Sequence, residues 1–324
     1  MAQVTFVVAT YRRADALRST LRSVCGQTPG DWPARGGGGG RGDARAEAVR
    51  SLTDPRIRYY NLPERFGEQS GPNSAGLHMA KGDHVVFLNH DDLLLPDHLA
   101  RMLEHDADVC FGRFATATRI EKGEPVFTET GPRATHLSAL FGSSPWAFDP
   151  SSFWLVRTAY AKAVGPWRRA AEVWRPPLRD WLLRAWRLRG RFRFSGTITG
   201  LRFLTHALRQ EALYDAGAPE HAVMADRLER ETPDETRAFL EARIGGGAGA
   251  RSGWWRAPAL LRRRFWAALW LGFGVDRAAL GGRLAGGRKG ALLETLSRQR
   301  TGAPLPAAPS LDRFLGDPEA HRVL

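Results

Sequence analysis

A chain of 324 residues, 43% hydrophobic and 10% aromatic, is long enough to bury a substantial core, either as one large domain or as one domain with an appendage. Its formal net charge of +13, carried almost wholly by arginine, favours phosphate-bearing partners: nucleotides, nucleic acid or an anionic membrane surface. Two cysteines, Cys25 and Cys110, exclude a disulfide framework, and no apolar run reaches transmembrane length. The first residues enter a strand pattern with no leader, so the expected location is the cytoplasm.

Residues 4–9 form a continuous apolar run that breaks at Thr10-Tyr11-Arg12-Arg13, and helical spacing follows through Ala14, Leu17, Leu21 and Val24. Strand, polar loop, helix is the opening of a βαβ unit. A Thr-Tyr-Arg trio at that loop suits a base and its phosphates, and equally an ordinary turn. Residues 27–42 hold Pro29, Gly30 and Pro33, then an unbroken run from Gly36 to Gly40. Five glycines cannot pack a core and are entropically expensive to fix, which predicts a flexible loop. A helix is expected over 44–52 and a strand over 56–62. Gly67 and Gly71 permit tight loops before a helix over 73–80, where Asn73 serves as a cap or a ligand contact.

The stretch 82–99 organises the rest. Residues 84–88 read as a buried strand that stops at Asn89, His90, Asp91 and Asp92, and Pro96-Asp97 opens a helix. Carboxylates at the carboxyl end of a buried strand sit where open α/β sheets bind ligands, and adjacent oxygen donors suit Mg²⁺ or Mn²⁺. The competing reading is an acidic turn. A hairpin through Lys122-Gly123 follows, then a strand ending at 157 and a helix over 158–164 closed by Gly165-Pro166. Arg179-Asp180-Trp181 opens another helix, and a strand covers 192–198. His206 lies beyond it, and 211–243 reads as helical and charged.

Gly245-Gly246-Gly247 marks a linker. Past it, tryptophans and leucines alternate with arginines over 254–275. Two readings stand there: an amphipathic helix lying on an anionic membrane surface, or a helix packed on the preceding domain with a solvated basic face. The Pro/Ala-rich tail at 303–309 is expected to be loosely ordered. The expected organisation is a domain over 1–215, a helical segment over 216–245, and a basic aromatic, partly disordered extension over 246–324.

Five segments in order, 4–13, 56–76, 82–99, 151–165 and 179–184, together resemble the family-2 glycosyltransferases of GT-A fold. The resemblance implies a Rossmann-like α/β fold with a mixed, mostly parallel sheet flanked by helices, and a helical C-terminal extension. It implies an inverting, metal-dependent transfer from a nucleotide-diphosphate sugar to a hydroxyl. The acceptor would be a glycan or lipid-linked, in cell-surface polysaccharide, glycolipid or glycoprotein synthesis at the inner face of the cell membrane. By the same resemblance Thr10, Tyr11 and Arg12 line the nucleotide, with Asp43, Gly67, Asn73, Asn89 and His90 around it. Asn89 and Asp91, with Asp92 beside them, hold Mg²⁺ or Mn²⁺, and Asp180 is the general base.

Two departures from that pattern carry weight. Asn89 replaces an acid, although an amide oxygen still coordinates a hard cation. Between residues 31 and 52 the family has a second apolar strand ending in base-reading acidic residues, and this chain has PARGGGGGRGD. Loss of that strand would open the sheet and delete the base contact. A local reading-frame change would produce such a run, and the intact mass of native-host protein decides it. The rival readings are a non-catalytic GT-A-like binding module and a basic nucleic-acid binder. No zinc, RRM-like or helix-turn-helix pattern supports the latter, so no nucleic-acid partner is expected.

Overall fold

The structure, a computed structural model, describes residues 3–27, 34–39, 43–121, 124–131, 150–203, 219–245, 286–306 and 309–324, with isolated positions between 270 and 284. The N-terminal half is built from β1 (Val4–Thr10), α1 (Ala14–Cys25), β2 (Ala34–Gly39), α2 (Asp43–Arg50), β3 (Ile57–Leu62), α3 (Ser70–Met79) and β4 (His84–Asn89). Its strands pair in the order β3-β2-β1-β4, all parallel. The unbroken apolar runs of β1 and β4 follow from burial on both faces. On one face Phe6, Val8 and Leu88 meet Leu17, Leu21 and Val24 of α1. On the other, Val7, Val85 and Phe87 meet Leu77 of α3.

The glycine run is not a loop. Residues 34–39 form β2, which pairs with β1 from Phe6↔Ala34 to Thr10↔Gly38 and with β3 from Ala34↔Ile57 to Gly39↔Leu62. A parallel ladder is made by main-chain groups alone. Glycine weakens such a strand by about 0.5–1 kcal/mol per residue relative to alanine, and the partners waiting on both sides outweigh that. The expected opening of the sheet therefore does not occur.

The second half contains β5 (Asp92–Leu94), α4 (His98–Leu103), β6 (Val109–Glu121), β7 (Glu124–Gly131), β8 (Trp154–Arg157), α5 (Thr158–Val164), α6 (Pro177–Arg187) and β9 (Phe192–Phe203). The sheet continues from β4 as β8-β6-β9-β5, with β7 also on β6. β8 is antiparallel to both neighbours, β9 is parallel to β6, and β5 is antiparallel to β9. The three-residue β5 has no pattern of its own and forms because Asp92, Leu93 and Leu94 meet Arg202, Leu201 and Gly200 in register. Beneath β4 and β8 lies an aromatic layer of Phe87, Trp154, Trp167 and Trp181.

Helices α7 (Pro219–Arg230) and α8 (Pro233–Gly245) close the sheet's far end. Their Met224, Leu228 and Leu240 share a core with Leu93, Phe127, Leu201 and Phe203. Ion pairs from Arg22 to Asp226 and Glu229, and from Arg237 to Asp97, fasten them to α1 and to the start of α4. After α9 (Ala291–Thr301) the chain returns to the opposite edge. Leu305 and Pro306 lie against Gly67. Phe314 of α10 (Asp312–Gly316) fills a pocket with Tyr60, Leu62, Phe66 and Ala75, and the Val323 amide donates to the Tyr59 carbonyl at 2.7 Å. The tail expected to be loose is thus held wherever it is described, because β3 is an edge strand with spare backbone partners and apolar surface. His206, the stretch 132–149 and nearly all of 254–275 lie outside the described residues. No helix among the described residues is long and apolar enough to cross a membrane.

Candidate functional site

The carboxyl ends of β1, β3 and β4 meet at one edge, beside the first turns of α1 and α2. Thr10, Gly38 and Asn61 stand in one register row, and His90 follows Asn89, which pairs with Ala9. Residues in register on parallel strands project to the same face. Thr10 Oγ1, Asn61 Oδ1 and His90 Nε2 are all buried without a hydrogen-bond partner among the described residues, as is Nε of Arg13. His90 Nδ1 lies 3.2 Å from the Ala9 carbonyl. A carbonyl only accepts, so the proton sits on Nδ1 and Nε2 keeps its lone pair. Burial holds His90 below its ordinary value, which keeps it neutral. Buried polar groups are normally satisfied, so several orphans on one edge mark a place that receives a polar ligand.

The turn after β4 divides its two acids. Asp92 is 2% exposed. One of its oxygens accepts from the Ser152 hydroxyl and, at 2.9 Å, from Asn89 Nδ2. Burial, then the charge of Asp91, pushes Asp92 up to about 7. It braces the fold through that oxygen. Asp91 is the opposite case. Burial works against its charge, but nearby positive groups, the Arg13 and Arg202 guanidiniums among them, hold it below the usual carboxylate range. Arg13 Nη1 donates to Asp91 Oδ2 at 3.0 Å.

Arg13 reaches Asp91 because Arg12 and Arg13 both adopt left-handed backbone conformations, with φ of 52° and 51°. Tyr11 lies beneath the guanidinium of Arg65, 4.5 Å from its ring centre. From α7, His221 Nε2 donates to the main-chain carbonyl of Asp91 at 3.0 Å while Nδ1 faces Glu220 at 3.0 Å. Arg13, Asn61, Ser152 and His221 were not singled out from the sequence. Ser152 and His221 stand 60 and 130 positions from their partners Asp92 and Asp91, and no local pattern reports such pairings. Arg13 alone left a signal, as the last residue of a polar loop after a buried strand.

The remaining expected residues are spread out. Asp43 is the first residue of α2. Gly67 has φ of +71° beneath Leu305 and Pro306, where a Cβ would come within 2.8 Å of Pro306. Asn73 is buried within α3, past its start at Ser70, so it does not cap the helix; its Nδ2 has no partner among the described residues. Asp180, in the first turn of α6, accepts from Arg184 Nε at 2.9 Å and lies 3.7 Å from Arg168. Among the described residues no hydrogen bond or ion pair joins Asp180 to the turn at 89–92.

No group of three or more His, Cys, Asp and Glu that could hold a metal exists among the described residues. A hard divalent ion needs less. Mg²⁺-type sites take one or two carboxylates and complete their shell with water and substrate phosphates. Charged Asp91 suits this, as does Asn89, whose Nδ2 is committed to Asp92 and whose carbonyl oxygen is thereby left for another partner.

Comparison with known proteins adds the following. The family described as "Glycosyl transferase family 2" matches residues 5–165. The succinoglycan biosynthesis protein ExoO of Rhizobium meliloti (strain 1021) is 34% identical over 101 residues, which is 31% of this chain. That match spans only 29% of ExoO's length. The crystal structure of S. aureus TarS 1–349 in complex with UDP-GlcNAc aligns with a TM-score of 0.50 at 17% identity, over 76% of this chain and 71% of that one. The mannosyltransferase PcManGT of Pyrobaculum calidifontis, in complex with GDP-Man and Mn²⁺, aligns with a TM-score of 0.49 at 17% identity, over 92% and 84%.

Proposed function

We propose, for a chain whose residues 5–165 belong to glycosyl transferase family 2 and which has the GT-A fold, that it is an inverting glycosyltransferase. It takes a sugar from a nucleotide-diphosphate donor and adds it to a hydroxyl of a cell-surface glycan or lipid-linked acceptor. The observation that carries this reading is the edge of orphaned polar atoms beside Asp91. It supplies acceptors at Asn61 and His90, a hydroxyl at Thr10 and a guanidinium donor at Arg13.

In this reading Thr10, Tyr11 and Arg12 hold the nucleotide, with Asn61, Asn73 and His90 adding polar contacts. Asp43 and Gly67 belong to the same side, at the start of α2 and in the loop before α3. Asp91 and the Asn89 carbonyl would hold Mg²⁺ or Mn²⁺. When bound, that ion neutralises charge on the departing nucleoside diphosphate. Asn89 is held in orientation by Asp92, and Asp92 in turn by Ser152. Asp180 is proposed as the base that removes the acceptor's proton. Arg184 and Arg168 both face this carboxylate, so the role requires acceptor binding to loosen one of them from it. Peripheral attachment to the inner face of the cell membrane through residues 254–275 belongs to the same proposal, and liposome co-sedimentation across a salt series tests it.

The test of the main reading is a transfer and hydrolysis assay over a panel of nucleotide sugars with Mn²⁺ and with Mg²⁺, with NMR of the product's anomeric centre. Turnover with inversion, lost in Asp91→Ala, is the expected outcome. Absence of turnover with every donor, together with donor binding that Asp91→Ala leaves untouched, would favour the non-catalytic binding module.

A further inference from the structure

We propose that Arg13 and a divalent cation are alternative partners of the Asp91 carboxylate, and that Arg13, once released, becomes a ligand of the donor's diphosphate. The second clause rests on the nucleotide-sugar reading above. The first rests on the geometry alone.

Asp91 is the acid of the turn that the fold leaves for other partners, since Asp92 is taken by Ser152 and Asn89. Arg13 occupies it through one nitrogen, Nη1, at 3.0 Å. The Arg13 side chain is 6% exposed. Its Nε is buried and without a partner among the described residues. A guanidinium offers five N–H donors, and leaving one buried and unmade is costly. The pair is therefore under-satisfied on the arginine side. The backbone that delivers it is strained as well, with Arg12 and Arg13 both left-handed. Consecutive strained residues of this kind are typical of segments that hold ligands or switch between arrangements.

Charge sets the competition. A dication and a guanidinium on the same carboxylate repel each other, and Arg202 already adds positive potential around Asp91. A diphosphate relieves the conflict. Its oxygens accept from a displaced Arg13, whose orphaned Nε then has a partner, while the cation stays between Asp91 and the phosphates. The cation should therefore bind poorly alone and well together with the nucleotide.

The experiment uses the full chain as wild type, Arg13→Gln and Arg13→Lys, each first shown to be folded by thermal melting. Mn²⁺ binding without nucleotide is measured from the free-ion EPR signal. UDP and GDP binding in saturating Mn²⁺ is measured by calorimetry. Arg13→Gln is expected to bind Mn²⁺ about tenfold more tightly and its preferred nucleoside diphosphate about tenfold more weakly, with Arg13→Lys shifted in the same directions by less. If both affinities fall together, or neither moves, Arg13 is only a structural support and the proposal is overturned. If Mn²⁺ binding tightens while the wild type binds neither UDP nor GDP, the competition stands and the nucleotide reading fails. Should Arg13→Gln not fold, the opposite-sign shifts of Arg13→Lys decide in its place.

Discussion

Asp92 gives its carboxylate to Ser152 and Asn89, whereas Asp91, one residue earlier, stays charged against Arg13. The sequence shows an apolar strand followed by four polar residues, and that is enough to place both acids at a strand end. It does not say which of the two faces inward, because the deciding partners Ser152 and His221 lie far along the chain. The same limit applies to Asp180. Its position at the start of a helix was legible, but its arginine partners were not. If Asp180 is the base, Asp180→Asn should lower kcat by about 10²-fold or more, with donor affinity and Tm unchanged. If it only ties α6 to Arg168, kcat should hold and Tm should fall. A separate expectation concerns His98, fully buried at the start of α4. Burial pushes it down from 6.5 to about 4. Between those values the unfolded chain binds a proton that the folded chain does not, so stability is complete above pH 6.5 and is lost as pH falls toward 4. The loss amounts to at most about 3 kcal/mol. The Tm drop between pH 7 and pH 4.5 should be smaller in His98→Leu than in the wild type.

At the level of elements, periodicity located β1, β3, β4, α1 and α6, because each has one or two faces that must be covered. It misjudged β2, whose residues say nothing about burial and which exists because β1 and β3 leave a gap between them. It also missed β5, a strand made by β9 rather than by its own three residues. Close approach between elements can be tested at Gly76. A Cβ there would come within 2.2 Å of Val7 Cγ1, so α3 rests on β1 at a distance only glycine allows. Gly76→Ala is expected to destabilise by about 1–3 kcal/mol, read as a shift in denaturant midpoint. Adding Val7→Ala should return part of that loss, since the two residues are in contact and their effects do not add.

Across the whole molecule, a parallel half and a mixed half share one continuous sheet, and segments far apart in sequence close both of its ends. Helices α7 and α8 bring His221 to Asp91 at one end. At the other, the residues after α9 cover Gly67 and insert Phe314 beside Tyr60 and Phe66. Composition and motif order made the α/β class readable. They could not reveal that the last residues of the chain cover the outer strand, since proline- and alanine-rich sequence carries no periodic face. Removal of residues 309–324 is expected to lower Tm and increase binding of a hydrophobic dye, because Tyr60, Leu62 and Phe66 lose their cover.

The glycine strand has one more effect. From Gly36 to Gly39 every position is chemically the same, so a slide of one step along β1 and β3 would replace each residue by its twin. Ordinary strands resist such a slide because it turns their apolar side chains outward; this one has none to turn. Its alignment is imposed from outside, by the pairing with β1 and β3 and by the chain's re-entry into α2. This strand, one in from the β3 edge, is therefore the place where hydrogen exchange should be fastest for its depth, and where a single β-branched replacement would give the sheet a fixed mark.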